Sequence, residues 1–291
     1  MKVLPSVVAR NLAVYFRDRS SVFLSLLSAL ILLLLYLFFL GGLQVDNIQA
    51  SLPQADPERI ETFVDSWVLA GIVTITTFTT GFAALGSFVD DRVSGRFKEF
   101  RVSPIRPWQL ILGYQGAAFL IAVAMSAAVL AVGLAYLALV RGHIPTAEGI
   151  VRAAGLIVLL SSAFAALGSF LITFVASAGA YTAVSTILGT VLGFLAGAYL
   201  PVGVLSEEVA SVINTLPFSP AAMLVRWPLA GDALRALTDV EEARDAVGGY
   251  YGFRLDVGDV GVQPGTAVLG LVVVAVAFTA LGAWRIGRVV R

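Results

Sequence analysis

Residues 82–110 read FAALGSFVDDRVSGRFKEFRVSPIRPWQL. The first seven close an apolar stretch that begins near Val68; the last few open another, which runs from about Leu110 to Val140. Between them, Asp90–Arg106 carries five basic and three acidic residues. A helix of roughly 20 apolar residues crosses a hydrocarbon core of about 30 Å. The polar connection is therefore expected at one membrane face, with a span on either side of it.

The rest of the chain extends the pattern. Hydrophobic residues make up 58%, charged residues 13%, and mean hydropathy is +0.91; a soluble chain would carry about 25% charged residues. Six stretches are long enough to span: about Val22–Leu43, Val68–Val89, Leu110–Val140, Ile150–Ala176, Ala180–Leu200 and Thr266–Ile286. The fold class expected is an all-α polytopic membrane protein, a single transmembrane domain over residues 1–291. The fourth and fifth spans are separated by SAG, which with Gly179 predicts a tight turn. No cysteine is present, which excludes disulfides, thiol catalysis and zinc–thiolate sites. The first apolar stretch is long and lacks a small-residue cleavage site, so it reads as a span.

Orientation follows from the basic residues. With both termini inside, the cytosolic segments hold twelve basic residues and four acids, and the outer segments hold seven and fifteen. The expected protein is a multi-pass component of the plasma membrane with N- and C-termini in the cytosol. Residues 1–21 contain VVARNLAVYFRDR, which puts Val8, Leu12 and Tyr15 on one helical face and Arg10 and Arg17 elsewhere. That suits an interfacial helix, or simply a charged tail.

Residues 201–265 are expected outside. Ser206 before Glu207 and Glu208 is a helix start, with acids at the positive end of the dipole. Pro217 ends that helix, and Ser219-Pro220 starts a second. Two short apolar half-helices fit a re-entrant arrangement, since backbone at that depth must be buried in protein. Residues 231–265 carry seven acids against three arginines, and are expected to form a soluble cap that contributes little to folding of the spans.

FAALGSF recurs at Phe164–Phe170. Ala84 and Ser87, like Ala166 and Ser169, form small-residue faces of the kind that let helices approach closely in lipid. The preceding spans share little beyond composition, which favours shared packing over duplication. A serine protease is excluded: the single histidine, His143, falls on the opposite face from Ser87 and Ser169, and no Gly-x-Ser-x-Gly elbow occurs.

Within the connection, Gly95 permits a turn. RFKEFRV places Phe97, Phe100 and Arg101 at helical spacing, and Pro104 and Pro107 end that helix and restart the chain. A short amphipathic helix held between two spans is a lever, because force on it moves both. A plain positive-inside anchor fits the charges equally well.

Asp91, Gly95, Glu99, Ser103-Pro104-Ile105, Leu110, Leu112 and Gly113 resemble, in order, the first cytosolic loop of ABC type-2 exporter permeases. An N-terminal interfacial helix, six spans and the outer LPFSPAAMLVR resemble that family too; the 231–265 segment is longer than its usual form. The resemblance implies the membrane subunit of an ATP-driven exporter. It pairs with a second permease subunit, a homodimer favoured over a heterodimer, and with two copies of a separate ABC ATPase. It also implies that Asp91, Gly95, Arg96, Phe97, Glu99, Phe100, Arg101 and Pro104 form the ATPase-coupling segment. No GxxxxGK[ST] pattern exists here, so ATP and Mg are expected in the partner; this chain itself holds no cofactor or metal, and no nucleic acid is expected. Two other readings share the topology: an ion-coupled secondary carrier and a membrane scaffold. The predicted span interiors carry no ionisable residue, which argues against the carrier. The wall residues suit a hydrophobic drug, a lipid or a lipid-linked glycan. Candidate pathway or packing residues are Thr76, Thr77, Thr80, Phe82, Ser87 and Ser169, the hydroxyls being equally suited to bonding between helices.

Overall fold

The computed structural model describes residues 3–97 and 105–289, the side chains of residues 21, 28, 37 and 287–289 apart. Helix α1 (Val3–Arg17) precedes a long first span made of α2 (Arg19–Leu35), a π-helical turn (Tyr36–Leu40) and α3 (Gly41–Ser51). The second span is α4 (Pro57–Ala84) followed by the short α5 (Gly86–Val93). Spans three to five are α6 (Pro107–Val140), α7 (Ala147–Ile172) and α8 (Ala178–Leu195). After them come α9 (Glu207–Thr215), α10 (Phe218–Leu237), α11 (Glu241–Tyr250), a two-stranded antiparallel hairpin of β1 (Asp256–Val257) and β2 (Val260–Gly261), and the sixth span α12 (Pro264–Val289). Among the described residues six helices are long and apolar enough to cross a membrane, and the fold is the all-α polytopic one expected.

Helix α4 is the axis of the bundle. Asp56 caps it, accepting from the Glu58 amide at 3.0 Å, and Pro57 takes the first turn, where no amide hydrogen is needed. It is buried along most of its length and packs on α6, α7 and α10. The close approaches depend on glycine. A side chain at Gly133 of α6 would collide with Leu69 of α4, and one at Gly113 would collide with Val7 of α1. Gly113, with Gly116 one turn on against Val8, gives α1 a groove on α6. The buried stripe of α1 is Val7, Asn11 and Tyr15, one residue off the face expected, and Arg10 points inward with it.

Several sequence expectations are corrected. The second span begins at Pro57, not near Val68, because Asp56 and Pro57 start the helix before the apolar run. Glu61 and Asp65 therefore lie in the first turns of the helix that forms the second span, ahead of its apolar run. Asp65 is buried, bonded by Arg141 Nε at 2.6 Å and by the Tyr136 hydroxyl at 3.0 Å, while Arg141 also pairs with Glu61. The turn after the fourth span is Thr173–Ser177; Ser177 caps α8, and Gly179 sits inside its first turn. Helix α10 starts at Phe218, two residues before Pro220, and runs for 20 residues, so it is no short half-helix. It meets α9 at 87°.

Residues 231–265 are not a detached cap. Residues 251–255 run back into the bundle as a strap, with Tyr251, Phe253 and Leu255 buried. Trp67 of α4 donates to the Tyr251 carbonyl at 2.9 Å, Tyr251 donates to Gln44 Oε1 at 2.8 Å, and Trp227 donates to the Phe253 carbonyl at 3.0 Å. Phe63, Trp67 and Tyr251 meet edge to face. The aromatic payload, invisible in a net charge count, makes this segment part of the core. Phe253→Ala, which removes a buried ring at a cost of roughly 3–5 kcal/mol, is expected to lower the thermal midpoint of the detergent-solubilised protein by several degrees, read as loss of the monodisperse size-exclusion peak. Asp259→Ala, on the exposed hairpin turn, is expected to leave it unchanged. Equal midpoints for the two variants would contradict the strap's core role.

Candidate functional site

The connection after the second span starts from a break in that span. Helix α4 ends at Ala84, Leu85 closes a tight turn, and α5 carries the chain in a new segment to Val93. The heptapeptide at Phe82–Phe88 contains the break, whereas its twin at Phe164–Phe170 is continuous helix within α7. The two copies pack on each other: a side chain at Gly168 would meet Leu85 Cδ1 at 3.1 Å and Phe82 Cδ2 at 3.3 Å.

The short α5 delivers Asp91 into the protein. Asp91 is 1% exposed. Arg10 of α1 holds its carboxylate bidentately, Nη1 to Oδ2 at 2.6 Å and Nη2 to Oδ1 at 2.8 Å. Arg96 donates at 3.0 Å, and the Tyr114 hydroxyl of α6 donates to Oδ2. Bidentate charge-assisted bonds are the strong ones, and the bonds from Asp91 raise the pKa of the Arg10 guanidinium. One carboxylate thus joins α1, α5, α6 and the start of the loop. Its neighbour Arg92 donates to the Val175 carbonyl at 2.8 Å, which ties the same root to the turn between α7 and α8. Ser94 and Gly95 then turn the chain, Gly95 at φ +78°, where a side chain would be strained.

The predicted coupling residues divide accordingly. Asp91 faces inward and positions the loop instead of presenting a charge to a partner. Arg96 is bonded to Asp91 at 3.0 Å. Phe97 is 8% exposed and packs edge to face on Phe88, which packs on Tyr114; it is no free apolar knob, because helical spacing alone cannot say which face meets the protein itself. Glu99, Phe100, Arg101 and Pro104 lie outside the described residues. Sequence reasoning missed Arg10 and Tyr114. A lone arginine within the apolar VVARNLAVY, and a tyrosine directly after Gly113, were the available signals.

The predicted pathway residues also divide. A groove of about 370 Å³ runs between α2, α4 and α8, lined by Thr76, Thr79, Phe82, Tyr181, Ser185 and Tyr199 among others. Thr77 and Thr80 are buried away from solvent. All the threonine hydroxyls of this run donate within α4: Thr74 to Ala70, Thr76 to Ile72, Thr77 to Thr74, Thr79 to Ile75 and Thr80 to Thr76, at 2.6–3.2 Å. They neither bridge helices nor present a free donor. Ser87 donates to Ala84 of its own turn, while Ser169 donates to Gln115 Oε1 at 3.1 Å and Gln115 donates to Thr279 at 2.7 Å, joining α7, α6 and α12. Among the described residues no group of acids and histidine could hold a metal.

A buried carboxylate bracing a loop between two spans is the geometry of a lever with a fixed root. The family model for the ABC-2 type transporter matches residues 3–229. The chain belongs to this family. It is a membrane permease of the ABC type, a transport component and not itself a catalyst, and permeases of this family generally pair with one another and work with an ABC ATPase. No individual curated protein matches it. In this ABC-2 permease the family match covers α1 and the whole loop root and ends within α10, before the strap. Asp91→Ala strands Arg10, Arg96 and Tyr114, and breaking a buried pair costs about 3–5 kcal/mol. We expect amide hydrogen exchange across Val3–Arg17 to quicken at least tenfold in Asp91→Ala and to stay within twofold in Asp90→Ala, the exposed neighbour. Unchanged exchange in Asp91→Ala would show that α1 is held by other contacts.

Proposed function

We propose that this permease moves a hydrophobic or amphiphilic substrate outward across the plasma membrane, as one of two copies driven by two copies of a separate ABC ATPase. The observation that carries the reading is the braced loop root, which gives force applied to residues 95–104 a stiff path into α1, α5 and α6. On this reading both termini and the loop face the cytosol, in keeping with the excess of basic residues in those segments. ATP and Mg belong to the partner chain. The acidic outer segments leave the mouth unsuited to retaining an anion, and the groove between α2, α4 and α8 suits an amphiphile: its walls are mostly apolar, and its threonine hydroxyls are already bonded within the helix. A drug, a lipid and a lipid-linked glycan share that chemistry.

Docking is assigned to the loop residues beyond Phe97. Arg96 and Phe97 are engaged with Asp91 and Phe88, which leaves Glu99, Phe100 and Arg101 as the contacts offered to the ATPase. A carboxylate there can accept charge-assisted bonds from a partner's arginine or lysine; its other role is a local pair with Arg96 or with Arg101, and at the three-residue spacing of Arg96 such a pair is worth only about 0.2–0.5 kcal/mol. Co-expressed with an ABC ATPase and purified in mild detergent, the wild-type permease is expected to retain the ATPase. The double variant Glu99→Ala, Phe100→Ala is expected to fold and dimerise, yet bind the ATPase at least tenfold more weakly or hydrolyse ATP without transport. Wild-type transport with wild-type substrate-stimulated hydrolysis in that variant would overturn the docking assignment.

A further inference from the structure

Helix α8 is held in an unusual way. Along its length only Leu192 and Gly193, in its last turn, are buried. Val184 and Leu188, midway along it, are only partly buried against the core, and its polar attachments sit at its two ends. Near its start, the Tyr181 hydroxyl donates to the Ala83 carbonyl at 3.1 Å, with the Phe82 carbonyl at 3.4 Å, at the break in the second span. The Leu85 amide also donates to the Phe82 carbonyl, at 3.1 Å, so Tyr181 adds a second donor at this break. The ring stacks on Phe82, and Gly86 leaves room for it: a side chain there would lie 3.0 Å from the hydroxyl.

At the far end, about 27 Å away for 18 residues of helix, stands Arg226 of α10. It is 0% exposed and forms no ion pair with a described residue. Its Nη2 donates to the Ala196 and Gly197 carbonyls at 2.8 Å each, where α8 ends; its Nη1 donates to the Gly252 carbonyl at 3.0 Å, in the strap just after α11. Both acceptor sites are helix C-termini, whose partial negative charge favours a cation. The Trp67 ring lies beneath the guanidinium at 5.7 Å. Gly197 and Gly252 both adopt positive φ, 59° and 74°, and a side chain on either would press on the guanidinium. Nε is buried without a partner. A buried arginine held by carbonyls alone is a costly arrangement, and here it joins the end of α8, α10 and the strap at one point.

We propose that α8 is the arm that carries motion from the loop root to the opposite end of the permease, with Tyr181 and Arg226 as the positioning residues that fasten its two ends. Arg226 latches the arm to the strap in the closed form, and opening draws the Ala196 and Gly197 carbonyls off the guanidinium. The inference rests on the ATP-driven transport reading for what moves the arm, and on the structure alone for the latch.

The chain has no cysteine, so Ala196→Cys, at a buried position, gives a single reporter. Labelling by a water-soluble maleimide is followed in detergent-purified protein, first without nucleotide and then with the ATPase and Mg–ATP. The parent is expected to label slowly at rest and at least tenfold faster during ATP turnover. Arg226→Met should label fast at rest, and Arg226→Lys, which keeps the charge but cannot reach all three carbonyls, at an intermediate rate that remains readable if the methionine variant fails to fold. Tyr181→Phe keeps the stacked ring and should label slowly in both states while still binding the ATPase. Slow labelling at rest in both Arg226 variants would overturn the latch. Full acceleration in Tyr181→Phe, or a parent that transports without acceleration, would overturn the arm. A parent that neither transports nor binds an ATPase would count against the transport reading, and the measurement at rest would still decide the latch.

Discussion

A carboxylate buried at 1% exposure is tolerable only when its lone pairs are taken up, and Asp91 takes four donor bonds from three residues. Removing a charge from water costs several kcal/mol, which good geometry can return. The geometry here demands that α1 lie in the Gly113–Gly116 groove, that Tyr114 face the same point, and that α5 turn inward to deliver Asp91. At Leu85 the helical bonding tightens, its amide reaching the Phe82 carbonyl at 3.1 Å, and α5 then brings Asp91 to this point. Helix α1, the root of the loop and the start of the third span are consequently one polar unit.

The two FAALGSF copies show how little a short sequence decides on its own. Seven identical residues form a broken helix in one place and a straight one in the other. The cause of the difference lies downstream of each copy. The first leads into VDDRV, whose charges must reach Arg10 and the Val175 carbonyl; the second leads into LITF, which continues apolar to the end of its span. Tertiary demand overrides local propensity, and the small residues shared by both copies are what let Phe82 and Leu85 press onto Gly168.

Span number, fold class and the position of the loop were legible because they depend on long apolar runs and on charge. The helix start at Ser206 was legible because acids follow it directly, whereas the one at Asp56 was misjudged because the polar first turns of α4 separate the cap from the apolar run. Contacts made across the fold were not legible. Phe97 looks like a free knob until Phe88 is seen against it. Residues 231–265 look like a solvated cap if only their acids are counted, yet YYGF within them is an aromatic run that needs burial. Arg226 stands in MLVRWPL with no acid near it in sequence; its partners are backbone carbonyls 26 to 30 residues away, which no spacing rule reveals.

The central claim is that the Asp91 unit moves as one body against the rest of the bundle. Pulsed electron–electron distance measurement on the otherwise cysteine-free chain tests it most directly, with spin labels at the exposed positions Val14, Val93 and Ile187. Between the nucleotide-free and ATP-trapped complexes, the Val14–Val93 distance should keep its mean and width, while the Val93–Ile187 distance shifts. A Val14–Val93 distance that changes or broadens on ATP binding, with Val93–Ile187 constant, would contradict the account.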